Sequence, residues 1–422
     1  MTKDVIVIGA GTSGLMAAIS AAENGARTLL IEKNKRVGKK LLLTGGGRCN
    51  VTNNRSPEDI IAHIPGNGKF LYSAFSQFTN HDVMAFFEEN GVSLKEEDHG
   101  RMFPVTNKSK SIVDCLLNRA LELGVEVLTQ ETVKRLLTDE GRIVGVQLDS
   151  GERHVAPCVI VSTGGRTYDH TGSTGDGYRF AKKTGHTVTP LFPTESPLLS
   201  KEKFITSKTL QGLSLQDIKL SVLNEKNKPI VSHEMDLLFT HFGLSGPAAL
   251  RCSMFVNREL EKHPTATVSL DALPSKEKED LLADIQKRRL DNEQKSIKNA
   301  LKGFLPERYL DFLLEKASID SSATIKSWDE KSMLDFISLV KDFRVSINGT
   351  WPIEKSFVTG GGISLKEVQP KSMESKKVAG LFFTGEVLDI NGYTGGYNIT
   401  AAFVTGHVAG KHAAEIASYY NY

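Results

Sequence analysis

Six residues near the start of the chain, Gly9-Ala10-Gly11-Thr12-Ser13-Gly14, restrict its fold more than any other feature. They follow Val5-Ile6-Val7-Ile8, a continuous apolar run of the kind buried on both faces of a parallel sheet. From Ser13 to Asn24 the residues are mostly Ala, Leu and Ile and predict a helix, with Gly25 placed to end it in a left-handed cap. Thr28 to Ile31 predicts the next buried strand. A crossover of this kind is right-handed and belongs to a doubly wound sheet.

Each glycine of the turn has its own reason. Gly9 permits the tight turn, Gly11 lets a diphosphate approach the backbone, and Gly14 allows close packing of helix on strand. The diphosphate is then expected on the helix N-terminus at Thr12 and Ser13, where free N–H groups and the helix dipole favour negative charge. Glu32 closes the second strand, where a carboxylate accepts the hydroxyls of a ribose and disfavours a 2′-phosphate.

The far end of the chain bears on which dinucleotide is bound. Gly380-Leu381-Phe382-Phe383-Thr384-Gly385-Glu386 reads as an apolar strand ending in a glycine and an acid. Gly395-Gly396-Tyr397-Asn398 and a small-residue helix, Ile399 to His412, follow. In FAD proteins of the glutathione-reductase type such a strand returns to the first domain. Its acid meets the ribityl chain, and the next helix aims its N-terminus at the flavin ring. Only one full GxGxxG is present, so a second NAD domain is not expected.

Between these ends the texture changes twice. Helices are expected over 82–90 and 110–123, a strand at Val125 to Thr129, and a meander over Gly141 to Leu148 with His154-Val155. Val159-Ile160-Val161 predicts another buried strand, ending at Ser162-Thr163-Gly164-Gly165, and Gly177 to Thr184 another helix. Residues 191–272 carry short alternating stretches typical of antiparallel strands, such as Ile218 to Val222. Residues 273–341 show helical periodicity, with Pro306 suited to a first helical position. The expected organisation is a nucleotide-binding domain in two parts, 1–190 and 342–422, interrupted by an insertion with a strand-rich half, 191–272, and a helical half, 273–341.

Bulk properties exclude several classes. Apolar residues at 40% and charged residues at 24% are those of an ordinary globular protein, and a net charge of +2 generates no strong field over the whole molecule. Val5 to Ile8 is too short for a signal-peptide core, and no apolar run reaches a membrane span, so a cytoplasmic protein without membrane attachment is expected. Cys49, Cys115, Cys158 and Cys252 are scattered without zinc-type spacing; no metal site is expected.

Three further blocks carry a family resemblance. Thr44-Gly45-Gly46-Gly47-Arg48-Cys49-Asn50-Val51-Thr52-Asn53 resembles the GGGRCN-x-TN signature of the BaiN/YhiN-like FAD-binding family. Phe239-Thr240-His241-Phe242-Gly243-Leu244-Ser245-Gly246-Pro247 and the run from Thr359-Gly360-Gly361-Gly362 to Tyr397-Asn398 resemble two more of its signatures. The resemblance implies FAD, a split Rossmann-like domain of glutathione-reductase type, and an inserted β-barrel with a helical subdomain. Activities attributed to members are reduction of activated C=C bonds in steroid-like substrates, oxidation of aminoacetone, and reduction of uridine in ribosomal RNA.

The candidate cofactor ligands are thus Gly9, Gly11, Thr12, Ser13, Gly14, Glu32, Lys33 and Lys40, then Thr44, Gly45, Gly46, Arg48 and Asn50 of the glycine loop. Val133 resembles the position whose backbone pairs with adenine in this superfamily, and Thr163-Gly164-Gly165 resembles a loop beside the cofactor. Gly385, Glu386, Gly396, Tyr397, Asn398 and Ile399 complete the set. Gly172-Ser173-Thr174-Gly175-Asp176-Gly177 is similar to a block of fumarate-reductase-like flavoproteins. Cys49 and His241 are the candidate proton donors, each with a purely structural alternative, and Arg101 is a candidate for an anionic substrate group.

The expected activity is an NAD(P)H-driven reductase passing hydride from flavin N5 to an activated C=C bond of a small molecule. NAD(P)H is expected as a transient donor that shares the substrate's cleft. The alternatives are an oxygen-using amine oxidase, a uridine reductase acting on ribosomal RNA, and a non-enzymatic flavin redox sensor. Lys201 to Lys208 and Lys287-Arg288-Arg289 are compatible with RNA phosphates, and equally with solvated faces.

Overall fold

The computed structural model describes residues 3–420, so Met1 and Thr2, part of the expected leaderless start, lie outside the described residues. The chain divides into two compact units, one of residues up to Phe192 together with those from Ile353 on, the other of Pro193–Pro352.

The first unit is organised around a five-stranded sheet in the order Leu381–Phe383, Cys158–Val161, Val5–Ile8, Thr28–Glu32, Glu126–Thr129. Every neighbouring pair is parallel. The central strand Val5–Ile8 is buried on both faces, which is why its sequence is apolar without alternation. The fingerprint helix Thr12–Glu23 follows it, and Gly25 takes φ +86° just beyond the C-cap. An antiparallel meander of Val133–Asp139, Arg142–Leu148 and Arg153–Val155 precedes strand Cys158–Val161. A small sheet joins Thr52–Asn53, Arg101–Pro104 and Leu94–Glu97.

Two helices hold the ends of the chain together. The last, Tyr397–Ser418, begins before the expected Ile399 and runs beyond His412, and Gly406 and Gly410 within it serve its packing. A Cβ on Gly406 would lie 2.3 Å from the Ser13 carbonyl oxygen, and one on Gly410 2.2 Å from that of Ala17. The C-terminal helix therefore lies directly on the backbone of the fingerprint helix.

The second unit contains a seven-stranded antiparallel sheet in the order Phe343–Ile347, Ala266–Asp271, Ser214–Leu223, Pro229–Phe239, Gly243–Ser245, Leu198–Leu199, Gly349–Thr350. The two end strands are separated only by Asn348, so the sheet closes on itself as a barrel. Helix Pro247–Leu260 packs against it, and a helical part comprising Lys278–Asp291, Ile297–Ala300, Glu307–Lys316 and Glu330–Lys341 shares its apolar core. Pro306 stands one place outside its expected position, as the N-cap of Glu307–Lys316, with its carbonyl accepting from Tyr309 and Leu310.

Candidate cofactor site

The turn after the first strand shows three different glycine environments. Gly9 has φ +98°, and a Cβ there would lie 2.7 Å from the Ser162 carbonyl oxygen. A Cβ on Gly14 would lie 1.8 Å from the carbonyl oxygen of Gly9, which locks helix to turn. Around Gly11 nothing lies within 4 Å of the added Cβ. Gly11 is also the N-cap of the fingerprint helix, with no side chain capping it and no acid in the first turn. The N–H groups at Thr12 and Ser13 therefore begin a helix whose dipole no side chain offsets.

Glu32 sits at the neighbouring strand end, buried. Its Oε2 accepts from the Ala10 N–H at 2.8 Å, and its Oε1 from the Asn34 N–H at 2.8 Å and Asn34 Nδ2 at 2.7 Å. No cation bonds it among the described residues. A buried carboxylate fixed by neutral donors keeps acceptor capacity for hydroxyls. Val133 is buried at the start of the meander, and close by the Glu131 N–H donates to the Glu32 carbonyl.

The glycine loop is a kinked 3₁₀ segment, Leu41–Gly47, in which Gly45, Gly46 and Gly47 have φ of +56°, +65° and +85°. Space is open around Gly46 and Gly47, whereas a Cβ on Gly45 would press on the Asn50 N–H at 2.9 Å. The Thr44 hydroxyl donates to the Leu41 carbonyl and so braces the turn. Asn50 is buried, and its Oδ1 has no partner among the described residues.

Two residues of this loop are held by the protein itself. The Arg48 guanidinium makes two 2.9 Å hydrogen bonds to Glu97 and lies 4.1 Å over the Phe103 ring. This fork-to-fork pair draws the Glu97 carboxyl down to about 2. Cys49 has no exposed surface, and burial pushes its thiol up to about 12. Burial of this kind suits a packing role for the thiol.

Lys40 and Glu386 are joined at 2.7 Å, and Lys40 also donates to the Thr167 hydroxyl at 2.6 Å. The other oxygen of Glu386 accepts the Thr359 N–H at 2.9 Å. Burial alone would raise the Glu386 pKa, but the charge and hydrogen bond of Lys40 outweigh it and hold the carboxyl below its usual range. Each of the two expected ligands is thus the other's partner. Lys33 is likewise occupied, by Asp176 at 2.7 Å and the Thr174 hydroxyl at 2.6 Å. Thr359, Thr167 and Asp176 were not among the expected site residues, although Thr359 opens one of the family blocks and Asp176 lies in the Gly172 to Gly177 block.

Gly385, with φ +70°, lies against Ser13, and its N–H donates to the Thr405 hydroxyl at 3.0 Å. Gly165 lies equally close to Thr359, where a Cβ would come within 2.3 Å of the hydroxyl. Gly164 has φ +71°, and the buried Thr163 hydroxyl has no partner among the described residues. Gly396 is the N-cap of the C-terminal helix, again without a side-chain cap or an acid in the first turn. Its φ of +96° and a would-be Cβ 2.7 Å from the Thr52 backbone require glycine. Tyr397 stacks on His63 with ring centroids 4.6 Å apart, and Asn398 bonds back to Gly392 and Tyr393. Ile399 is half-buried.

These features fit FAD: an open diphosphate approach at an uncapped helix, a buried carboxylate without a cation, an open glycine loop, an unpartnered Asn50 Oδ1, and a second uncapped helix start.

Two candidates remain. His241 is exposed in the turn between strands Pro229–Phe239 and Gly243–Ser245, with its ring edge-on to Phe242. Arg101 is paired with Asp98 and lies 5.6 Å from the Phe103 ring centre. All four cysteines are free and buried, and no cluster of metal-binding side chains occurs among the described residues. No described helix is long and apolar enough to cross a membrane.

A family model described as the HI0933-like protein Rossmann domain matches residues 3–412. The chain is 32% identical over 407 residues to a ribosomal RNA dihydrouridine synthase of Escherichia coli (strain K12), covering 95% of each protein. It is 28% identical over 413 residues to a 3-dehydro-bile acid delta(4,6)-reductase of Clostridium scindens, covering 97% of this chain and 98% of that one. Among solved structures, a 3-ketosteroid-delta4-(5alpha)-dehydrogenase from Rhodococcus jostii RHA1 aligns with a TM-score of 0.53 at 16% identity, over 98% of this chain and 97% of that one. A flavocytochrome c3 fumarate reductase aligns with a TM-score of 0.51 at 18% identity, over 99% and 78%. At these identities the structural matches establish the fold.

Proposed function

The chain belongs to the HI0933-like family of FAD-dependent oxidoreductases, and from that membership we propose that it saturates a C=C bond conjugated to a carbonyl. The observation that carries this reading is the chemistry shared by two kinds of relative that match along nearly their whole length. Dihydrouridine synthesis and delta(4,6) reduction act on very different molecules, yet both add hydrogen across a double bond activated by a carbonyl.

In this reading Glu32 accepts the adenosine ribose hydroxyls, and the N–H groups at Thr12 and Ser13 take the diphosphate beside the open Gly11. The glycine loop, Asn50 and the start of the C-terminal helix serve the ring end. Bound FAD supplies the hydride chemistry. The chain's own contribution is electrostatic and steric: the uncapped helix start at Tyr397 stabilises negative charge, and the Lys40–Glu386 pair keeps the surrounding loops in place.

NAD(P)H is the proposed electron donor. With a single dinucleotide fingerprint in the chain, it would use the substrate's cleft and leave before the substrate enters. Ping-pong kinetics follow from that order.

For the substrate we favour uridine in ribosomal RNA, because relatives in both Escherichia coli and Haemophilus influenzae at 32% identity carry that activity over 95% of their length. A small-molecule enone is the second reading, supported by the bile-acid reductase. The test is anaerobic and spectroscopic. NADH or NADPH should bleach the flavin of the purified holoprotein, and protein-free ribosomal RNA should then restore the colour with formation of dihydrouridine. Reoxidation by a steroid enone but not by RNA would select the second reading. Flavin that stays oxidised with both nicotinamides would remove NAD(P)H as donor, and rapid oxygen consumption with an amine would replace the reductase by an oxidase.

A further inference from the structure

The two basic stretches of the second unit fare differently in the fold. In Lys287-Arg288-Arg289, Arg288 is bound to Asp284 and to the carbonyls of Ala300 and Lys302, and Arg289 to the carbonyl of Lys326. In the segment from Lys201 to Lys208 the opposite holds. Lys201, Lys203 and Lys208 are exposed, and none forms an ion pair among the described residues.

The one carboxylate of this segment, Glu202, is turned inward, where its Oε1 accepts the Ser346 N–H at 2.7 Å. Phe204 and Ile205 are buried and anchor the segment to the core of the unit. A fourth cation joins from another element: the exposed Arg308 donates to the carbonyls of Thr209, at 2.8 Å, and Gln211, at 3.2 Å. Its guanidinium thus rests on the same loop without a carboxylate partner. Glu307 beside it faces Lys298 instead, at 3.0 Å. The exposed residues Thr206, Ser207 and Thr209 add hydroxyls to the same stretch of sequence.

We propose that Lys201, Lys203, Lys208 and Arg308 form a phosphate-binding surface for the RNA that carries the substrate uridine. The proposal rests on the ribosomal RNA reading above and names the surface that grips the backbone. Cations interleaved with hydroxyls, with the apolar residues of the segment turned into the core, suit a chain of phosphates and sugar hydroxyls. A membrane surface would call for exposed apolar or aromatic side chains beside the lysines, and the segment presents none.

The experiment compares the full-length flavoprotein with Lys201→Gln/Lys203→Gln/Lys208→Gln and with a control of equal charge loss, Lys287→Gln/Lys295→Gln/Lys331→Gln. RNA binding is measured against salt with protein-free ribosomal RNA. Removing three phosphate contacts should reduce the slope of log K against log salt by about 2–3 and weaken binding at least about tenfold, with the control unchanged. Turnover of free uridine or a small enone, and the melting temperature, should match the unsubstituted protein in both variants. Equal binding by all three proteins, or equal loss in both variants, overturns the surface while leaving RNA as substrate. If the unsubstituted protein neither binds RNA nor is reoxidised by it, the ribosomal RNA reading itself fails, and the surface with it.

Discussion

Lys40 and Glu386 meet at 2.7 Å although almost the whole chain separates them in sequence. The pair ties the segment before the glycine loop to the strand end that precedes the C-terminal helix. Glu386→Gln leaves a partly buried ammonium short of its countercharge, and Lys40→Met leaves the carboxylate on Thr359 and Thr167 alone. Each change should cost about 1–3 kcal/mol of stability. The sign of the pH dependence follows from the lowered pKa of Glu386. The unfolded state binds the proton more readily, so the stability of the pair is complete above the ordinary carboxylate pKa of about 4.3 and is lost as the pH falls through the lower native value. Melting temperatures measured from about pH 3 to 7 should fall more steeply on the acid side for the unsubstituted protein than for Glu386→Gln.

Gly11 and Gly14 separate cofactor binding from folding. A Cβ on Gly14 would lie 1.8 Å from the Gly9 carbonyl oxygen, so Gly14→Ala should destabilise the apoprotein itself. Gly11 has an extended backbone with φ −87° and empty space around its Cβ, so Gly11→Ala should leave the apoprotein melting temperature unchanged. Its methyl group would instead stand in the diphosphate approach. FAD affinity, measured by fluorescence quenching, should drop by about tenfold or more, ~1.4 kcal/mol. An unaltered FAD affinity in Gly11→Ala would place the diphosphate elsewhere.

The parallel sheet was legible because its strands, such as Val5-Ile6-Val7-Ile8 and Val159-Ile160-Val161, are apolar on both faces and bounded by glycines. The ion-pair partners of Arg48, Lys40 and Glu386 were not legible for a physical reason. A cation or carboxylate in a glycine-rich loop has the same chemistry whether its partner is a phosphate or a distant side chain. Glu97 and Lys40 lie far in sequence from the groups they bind, so no local pattern points from one to the other. The C-terminal helix runs past both of its expected ends, and the contact of Gly406 and Gly410 with Ser13 and Ala17 exists only in the packed protein.

Cys49 should be dispensable for chemistry. Its thiol is fully buried, with its pKa pushed up to about 12, so it is protonated and shielded throughout the physiological range. Native protein should resist alkylating reagents at neutral pH and react only on unfolding. Cys49→Ala should keep kcat within about threefold, because deleting one sulfur from the core affects packing and not proton transfer. A loss of a hundredfold or more in kcat, with the melting temperature unchanged, would return the thiol to the reaction.

Arg48 and Glu97 provide the last test, because two roles for Arg48 predict different patterns. If the guanidinium binds a phosphate, Arg48→Met weakens FAD binding and Glu97→Gln leaves it intact or improves it by freeing the cation. The structure has both guanidinium nitrogens on Glu97 and the cation stacked over Phe103, an arrangement in which either change loosens the glycine loop. Arg48→Met and Glu97→Gln should therefore weaken FAD binding to a similar extent, and the double variant should be little worse than either, the non-additivity of groups acting as one unit. Glu97 titrates only near about 2, so the tether itself stays charged between about pH 5 and 9 and adds no inflection to the pH profile of FAD binding in that range. Additive losses in the double variant would show that Arg48 supports FAD binding independently of Glu97, and the phosphate would again be the first candidate.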